Sequence, residues 1–202
     1  MTHAQESESM QPEQVNNETA GEPGNSPSSS AIHAAHWAQE QLHKGVARAE
    51  ILAELVAAAE QVAGKGAVCS ILALDRDGLL RNVASPNLPA DYLAAIDRLK
   101  PNPSVGTCAA AAATGAMVIT CDFQADNKWA ELRHLPLALG FVGAWSMPIK
   151  GVSGNVLGTL GTYFRERRSP TPTEVKSIEV LVAAAGLILE GHEIRKGAEP
   201  AA

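Results

Sequence analysis

Aromatic residues are scarce in this chain of 202 residues, in which Trp, Tyr and Phe together make up 4%. Small and medium aliphatic residues, chiefly Ala, Leu, Val and Ile, must therefore fill the interior of the fold. An interior rich in Ala requires helices and strands to approach one another closely. The apolar fraction of 46% is large enough for a hydrophobic core, and the length suits one domain with extensions.

Cysteine is also rare, and the sequence carries no targeting or membrane signal. Cys69, Cys108 and Cys121 do not form the dense pattern of a disulfide framework, so we expect them to be free thiols. No apolar run approaches the length of a membrane span, and the N-terminus lacks the basic and apolar regions of a secretory signal. We expect a cytoplasmic protein with no membrane partner.

Positive charge is neither abundant nor concentrated. Lys and Arg number 16 against 22 Asp and Glu, which gives a formal net charge of −6. The run Arg165–Arg168 is short and contains Glu166, so we interpret it as a solvated turn. Nucleic acid is therefore not an expected partner.

The composition divides the chain into four parts. Residues 1–30 are polar and hold almost no aromatic or β-branched side chains, which predicts a disordered tail. A stretch rich in Ala, Glu, Gln and Leu follows and predicts a long amphipathic helix, with Gly45 as the point where it divides. We assign a helical extension to residues 31–47, a domain to residues 48–192 and a flexible tail to residues 193–202.

Alternating strand and helix patterns fill the domain. Short turns at Arg76–Gly78 and Gly151–Asn155 join strands in pairs, so these pairs are antiparallel. The pattern predicts an α+β fold in which helices, including long ones at both ends, flank an antiparallel sheet. The strands are predicted at 67–75, 79–84, 117–121, 143–150 and 156–166, and the later helices at 90–99, 108–114, 128–139 and 173–194.

Four motifs in the domain resemble, in order, those of the GAF domain family. Pro103–Cys108, followed by small residues and Thr114-Gly115, resembles the signature that opens the family's pocket helix. The later motifs are Asp122–Leu139, Ala144–Ile149 and the glycine-spaced segment 154–164. The resemblance implies a fold similar to that of PAS domains, in which small molecules bind between the sheet and the middle helices. It does not specify the ligand, because family members bind very different molecules.

The segment before the pocket helix is the best candidate for a ligand site. A helix that begins near Thr107 presents unpaired N–H groups and a partial positive charge, which suit an anion or a metabolite carboxylate. The alternative is that Gly106 serves the turn and the alanines serve close packing. Aromatic residues can provide the pocket walls. The predicted ligand-binding residues are Val105, Gly106, Thr107, Cys108, Ala109, Phe123, Trp129, Trp145 and Met147.

Cys108 has three alternative roles. A thiolate is stabilised at a helix N-terminus, so this residue could be a redox sensor or a catalytic thiol, and it could also be a small core residue. The sequence resembles a GAF-fold enzyme, the free methionine-R-sulfoxide reductase, which has a cysteine in a similar turn. That enzyme family has further cysteines shortly before and well after this one. Here residues 90–107 contain no cysteine and Cys121 comes too early, so we assign no catalytic residue and keep the thiol enzyme as an alternative.

No cofactor is predicted from the motifs. His33, His36, Glu40 and His43 share one helical face, but structural zinc sites normally draw ligands from more than one element. The chain has no Cys-His dipeptide of the kind that anchors a bilin, and the segment 127–129 does not continue into the family's cyclic-nucleotide pattern. We expect no metal, bilin or haem.

A sensory role fits these observations best. We expect a cytoplasmic GAF protein that binds a small metabolite or an anion and acts through a partner, such as a sensor kinase or a transcription regulator. This is similar to accessory GAF proteins that bind nitrate beside a two-component system. The wide apolar faces of the first and last helices predict a homodimer. A ligand-free dimerisation module is the second alternative to the sensor.

Overall fold

The computed structural model describes residues 26–197, and their side chains as far as Glu190. Helices and strands alternate along this part of the chain much as the sequence patterns predict. None of the described helices is long and apolar enough to cross a membrane. The helices are α1 (Ser29–Lys44), α2 (Arg48–Ala63), α3 (Ala90–Ala95), α4 (Thr107–Thr114), α5 (His134–Ala138) and α6 (Pro172–Gly197), and the strands are β1 (Val68–Leu74), β2 (Leu80–Ala84), β3 (Val118–Thr120), β4 (Gly143–Lys150) and β5 (Val156–Phe164).

The N-terminal helix divides at Gly45, as predicted. Gly45 has a φ of 79°, and its N–H donates to the carbonyl groups of Gln41 and Leu42, which ends α1. Glycine adopts this left-handed conformation without steric cost. At the other end of α1, the Ser28 side chain accepts a hydrogen bond from the N–H of Ala31 and caps the helix.

The predicted tails lie mostly outside the described residues. Residues 1–25 and 198–202 are not described. Within the predicted tails, α1 already begins at Ser29 and α6 continues as far as Gly197.

The five strands form one antiparallel sheet in the order β2-β1-β5-β4-β3, which confirms the predicted α+β class. β1 is the first strand of the first hairpin, and β5 is the last strand of the second. These two strands are distant in the sequence, and they pair with each other in the sheet. In that register Ser70 lies opposite Gly161, and Gly161 lies opposite Ser146 on β4. These three residues therefore form a row across the centre of the sheet.

The two faces of the sheet are covered by different elements. One face packs against α2 and α6, on which α1 lies in turn, and its buried side chains include Trp145, Met147 and Leu160. The other face is covered by α4 and by the loops that carry Phe123 and Trp129. Successive side chains of a strand point to opposite faces, so neighbours in β4 belong to different clusters.

The helix predicted over residues 128–139 is instead a 3₁₀ turn, Asn127–Trp129, followed by α5. The Asp126 side chain accepts a hydrogen bond from the N–H of Lys128 and caps the 3₁₀ turn. Proline has no N–H to donate and is tolerated only in the first turn of a helix. Since Pro136 lies in the segment, a regular helix that contains it must begin shortly before it, and α5 begins at His134.

The start of α6 is fixed by a capping box and a partly buried ion pair. The N–H of Thr171 donates to the Glu174 carboxylate, and the N–H of Glu174 donates to the Thr171 hydroxyl. Arg168 pairs with Glu174 at 2.7 Å, donates to the carbonyl of Ala63 and lies 3.9 Å over the Phe164 ring. The guanidinium thereby joins β5, α6 and the end of α2.

Candidate functional site

The N-terminus of α4 is covered by the loop that carries Trp129. Gly106 precedes the helix with a φ of 53°, and no side chain caps the helix. The N–H of Gly106 donates to the carbonyl of Lys128 at 2.8 Å. A Cβ atom at Gly106 would lie 3.8 Å from the Trp129 indole and 3.9 Å from Leu132. The first turn of α4 is therefore shielded from solvent by apolar side chains.

The body of α4 lies directly on the centre of the sheet. Its buried residues run without interruption from Thr107 to Ala112, and Ala provides the small surface that this close approach needs. The contact point on the sheet is Gly161. A Cβ atom at Gly161 would lie 2.8 Å from the sulfur of Cys108, 3.3 Å from the oxygen of Ser70 and 3.4 Å from the oxygen of Ser146.

Polar side chains fill this contact, where apolar ones would be expected. The hydroxyl of Ser146 lies 3.2 Å from the thiol of Cys108 and donates a hydrogen bond of 2.8 Å to the hydroxyl of Thr107. We name these residues, together with Ser70, Thr159 and Gly161, the α4 polar cluster. Its members Thr107, Cys108, Ser70, Ser146 and Thr159 are all buried.

Several hydroxyl groups on this side of the sheet have no hydrogen-bond partner among the described residues. They belong to Ser70 and Thr159 in the cluster and to Tyr92 beside it, and all three residues are buried. Tyr92 packs edge-on against Tyr163 with ring centroids 5.9 Å apart. An unpartnered buried hydroxyl is unfavourable for folding by roughly 1–3 kcal/mol, so such groups call for a partner, which a bound molecule or an ordered water can supply.

The ionisable groups of this region are held in their neutral forms. Burial raises the pKa of the Cys108 thiol, and the Ser146 and Thr159 hydroxyls offset this only in part. The Thr159 hydroxyl is near enough to the sulfur to act on the pKa of the thiol, although no hydrogen bond of ordinary geometry joins the two groups. Burial also raises the pKa values of Tyr92 and Tyr163. The α4 polar cluster is therefore uncharged at neutral pH, and Cys108 is not the activated thiolate that a helix N-terminus can produce.

Trp129 is held by packing and by a chain of hydrogen bonds. Its ring lies 4.3 Å from that of Phe123, and its indole N–H donates to the Thr120 hydroxyl at 3.2 Å. That hydroxyl donates in turn to Asp126 at 2.7 Å, and Asp126 also pairs with Lys128 at 2.8 Å. The network fixes the indole above the start of α4.

A surface cleft of about 740 Å³ lies on the outer side of the same loop. Residues 103–104, the end of β3 and residues 125–128 line it. None of the nine predicted ligand-binding residues lines this cleft. The cleft and the α4 polar cluster are thus separate features of the fold.

Seven of the nine predicted ligand-binding residues come together around α4. They are Val105, Gly106, Thr107, Cys108, Ala109, Phe123 and Trp129. The structure does not bring Trp145 and Met147 to them, because both side chains lie on the opposite face of the sheet, in the cluster with α1, α2 and α6. Strand alternation is the reason, since Ser146 lies between them and is the residue that faces α4. A ligand-binding role for the nine residues stays a prediction.

Sequence reasoning did not identify the sheet side of this region. Ser70, Ser146, Thr159, Gly161 and Tyr92 were not singled out as site residues. A signal was present in β5, where four of the six residues from Gly158 to Tyr163 are Gly or Thr. The meeting of Ser70 with Gly161, however, depends on the pairing of β1 with β5.

The fold and the covered sheet define a GAF- or PAS-like α+β domain. The chain belongs to the GAF domain family, because the family model described as a GAF domain matches residues 46–190. This confirms the resemblance drawn from the four motifs.

One relative and two solved structures illustrate the range of similar proteins. The methyl sulfide methyltransferase-associated sensor of Methanosarcina acetivorans is 32% identical over 152 residues, which cover 75% of this chain but only 15% of that protein. A GAF domain of a phosphoenolpyruvate-protein phosphotransferase from Coxiella burnetii has a TM-score of 0.64 at 18% identity, over 85% of this chain and all of that one. The reduced form of fRMsr of Staphylococcus aureus has a TM-score of 0.60 at 12% identity, over 83% and 97% of the two chains. The two structural likenesses concern the fold alone.

Proposed function

We propose that this chain is a sensory GAF domain that binds a small metabolite or an anion between α4 and the sheet. The α4 polar cluster is the observation that supports this proposal most directly. Hydroxyl groups buried without partners reduce stability, and a bound molecule that hydrogen-bonds to them would remove that penalty. Membership of the GAF family and the similarity to a methyltransferase-associated sensor support a role in signalling.

The proposed output is a partner regulator, such as a sensor kinase or a transcription regulator, in the cytoplasm. The terminal helices are the proposed surface for homodimerisation and for this output. Helix α6 packs on the sheet face opposite α4, and α1 packs against α2 and α6. Exposed apolar side chains remain on both helices, among them Ile32, Trp37 and Leu187. These side chains would be covered in a dimer.

A ligand screen with matched variants tests the proposal. The full chain is screened against small metabolites and anions by thermal shift, with native mass spectrometry of the freshly purified protein to detect a co-purified molecule. We expect a saturable hit that Ser70→Ala and Thr159→Val weaken at least tenfold. Ser177→Ala is the matched control, because its buried hydroxyl donates to the Thr173 carbonyl within α6, away from α4. A hit that responds equally to all three variants would place the ligand elsewhere.

The thiol-enzyme alternative finds support in the fold that the chain shares with fRMsr. Three observations at the cysteines argue against it. Cys108 is buried with a raised pKa, Cys69 contacts Thr162 on the opposite face of the sheet, and Cys121 is exposed beside Ser169. No second thiol among the described residues stands next to Cys108. Assaying the reduction of free methionine sulfoxide, with Cys108→Ser as control, tests this alternative directly.

A further inference from the structure

The charge of the groups around α4 narrows the class of ligand that the proposed site takes. We infer that the α4 polar cluster binds an uncharged molecule of a few non-hydrogen atoms that carries both hydrogen-bond donors and acceptors, such as a carboxamide or a urea. This inference rests on the proposed function, in that it assumes a ligand between α4 and the sheet. It narrows the proposed ligand from any small metabolite or anion to one chemical class.

No counter-charge for an anion is present in the cluster. Its side chains are hydroxyls and one thiol. Among the described residues, Glu174 is the one buried charged side chain, and Arg168 on the other side of the fold neutralises it. The loop that covers α4 carries two cations, namely Lys128, which is paired with Asp126, and Arg133, which donates to the carbonyl of Gln124. No side chain of the cluster itself would therefore balance the charge of an anion at this place.

The partial positive charge at the N-terminus of α4 does not compensate for the missing counter-charge. The partial charge at the start of α4 favours an anion, but Trp129 and Leu132 cover the approach to it with apolar surface. An anion must lose its water to enter, and the free energy of that loss exceeds what one helix terminus returns. A neutral molecule loses far less on leaving water.

The hydroxyl groups specify a ligand with both donors and acceptors. Ser70 and Thr159 each have an unpartnered hydroxyl that can donate or accept. The first N–H groups of α4 are donors only, and they are available to a ligand because no side chain caps that end of the helix. A carboxamide oxygen suits the helix terminus, and its NH₂ group suits the hydroxyls.

The close contact of α4 with β5 limits the size of the ligand. The Cys108 sulfur lies 2.8 Å from the position of a Cβ atom at Gly161, so a ligand enters the centre of the cluster only if α4 moves away from β5, and a molecule of few non-hydrogen atoms needs the smallest movement. A ligand of four non-hydrogen atoms has a best possible Kd of roughly 10⁻⁵ to 10⁻⁴ M, from the ceiling on binding free energy per atom. Titrations must therefore reach millimolar concentrations.

Isosteric pairs of probes test the charge of the ligand directly. Urea and nitrate have the same planar shape but differ in charge, and so do acetamide and acetate. Each probe is titrated into the ¹⁵N-labelled full chain, and the amide signals of Cys108, Ala109 and Ala110 are followed by NMR. We expect saturable shifts with urea or acetamide and none with their anionic partners. The double variant Ser70→Ala/Thr159→Val should lose the shifts, while Ser177→Ala should keep them.

The possible outcomes separate this inference from the proposed function. If nitrate or acetate binds α4 at least as tightly as its neutral partner, the inference about charge is wrong and the ligand site stands. If no probe moves the α4 signals, or if the double variant responds like the wild type, both the inference and the ligand site are wrong. Neutral binding that depends on the two hydroxyls supports both.

Discussion

The unpartnered hydroxyl groups lead to an unusual prediction, namely that removing them stabilises the ligand-free protein. Thr159 and Ser70 are fully buried, and their hydroxyls have no partner among the described residues. Thr159→Val replaces the hydroxyl by a methyl group of nearly the same shape. Ser70→Ala removes the hydroxyl without adding atoms. Folding no longer has to strip water from a group that gains nothing in return.

The magnitude follows from the desolvation of one hydroxyl. An unsatisfied buried hydroxyl disfavours folding by roughly 1–3 kcal/mol, so we expect each substitution to raise the free energy of unfolding by about 1 kcal/mol. In a chain of this size that corresponds to a rise in Tm of roughly 2–4 °C. Urea denaturation at fixed protein concentration measures the change, with an unchanged m-value as the sign that only stability has altered.

Two matched variants give the opposite expectation. Ser146→Ala loses the hydrogen bond to Thr107 and the contact with Cys108. Ser177→Ala loses its bond to the Thr173 carbonyl and the bond that it accepts from the N–H of Ser28. Both should lower the free energy of unfolding by about 1 kcal/mol. If Thr159→Val and Ser70→Ala also destabilise the ligand-free protein, their hydroxyls are satisfied, and the argument for a ligand at α4 loses its main support.

Three further predictions concern other parts of the fold. Gly161→Ala should lower the free energy of unfolding by about 1–3 kcal/mol, because the new methyl group meets Cys108. The same substitution should cost much less in a Cys108→Ala background. Urea denaturation of the wild type, the two single variants and the double variant should therefore show non-additive effects. Burial acts to raise the pKa of Glu174, but hydrogen bonds from Arg168 and Thr171 hold the pKa below the ordinary value of 4.5. The pair therefore contributes stability above pH 4.5 that is lost as the pH falls through the lowered pKa. The free energy of unfolding of Glu174→Gln should accordingly depend less on pH in this acidic range than that of the wild type. Of the three cysteines, Cys121 alone should react quickly with a thiol reagent in the folded protein. Cys108 and Cys69 are both buried, and burial raises the pKa of both thiols, that of Cys69 to about 12. A fast-reacting thiol that persists in Cys121→Ser would contradict this prediction.

The sequence predicted what depends on local order along the chain. Alternation, proline positions and the Asp-Gly and Gly-rich turns are local signals, and they identified the strands and the antiparallel pairs. Pairing of β1 with β5 is not local, because the strands are separated by most of the domain. The capping box of Thr171 and Glu174 was missed for a simpler reason: α6 was predicted to begin at Thr173, one residue after its true start.

The site shows the same division between local and long-range information. The small-residue helix and the loop with Trp129 could be identified from motifs, and the structure places them together. Trp145 was selected for its chemistry as an aromatic side chain, yet which face of β4 meets α4 is a property of the whole fold. Once that face is known, alternation assigns Ser146 to α4 without further assumption. Polar cores are therefore harder to predict than aromatic ones, because serine and glycine in a strand give no signal until their neighbours are known.

The position of β4 explains how a ligand at α4 could affect the proposed output surface. Ser146 contacts Cys108 and Thr107 on one face, while Trp145 and Met147 pack against the long helices on the other. At the end of this strand, Gly186 of α6 lies so close to the carbonyl of Lys150 that a Cβ atom would overlap it. The carboxylate of Glu190 also accepts a hydrogen bond from the N–H of Val152. A displacement of α4 therefore needs to pass through only one strand to reach α6, and close packing leaves that strand little freedom to absorb it.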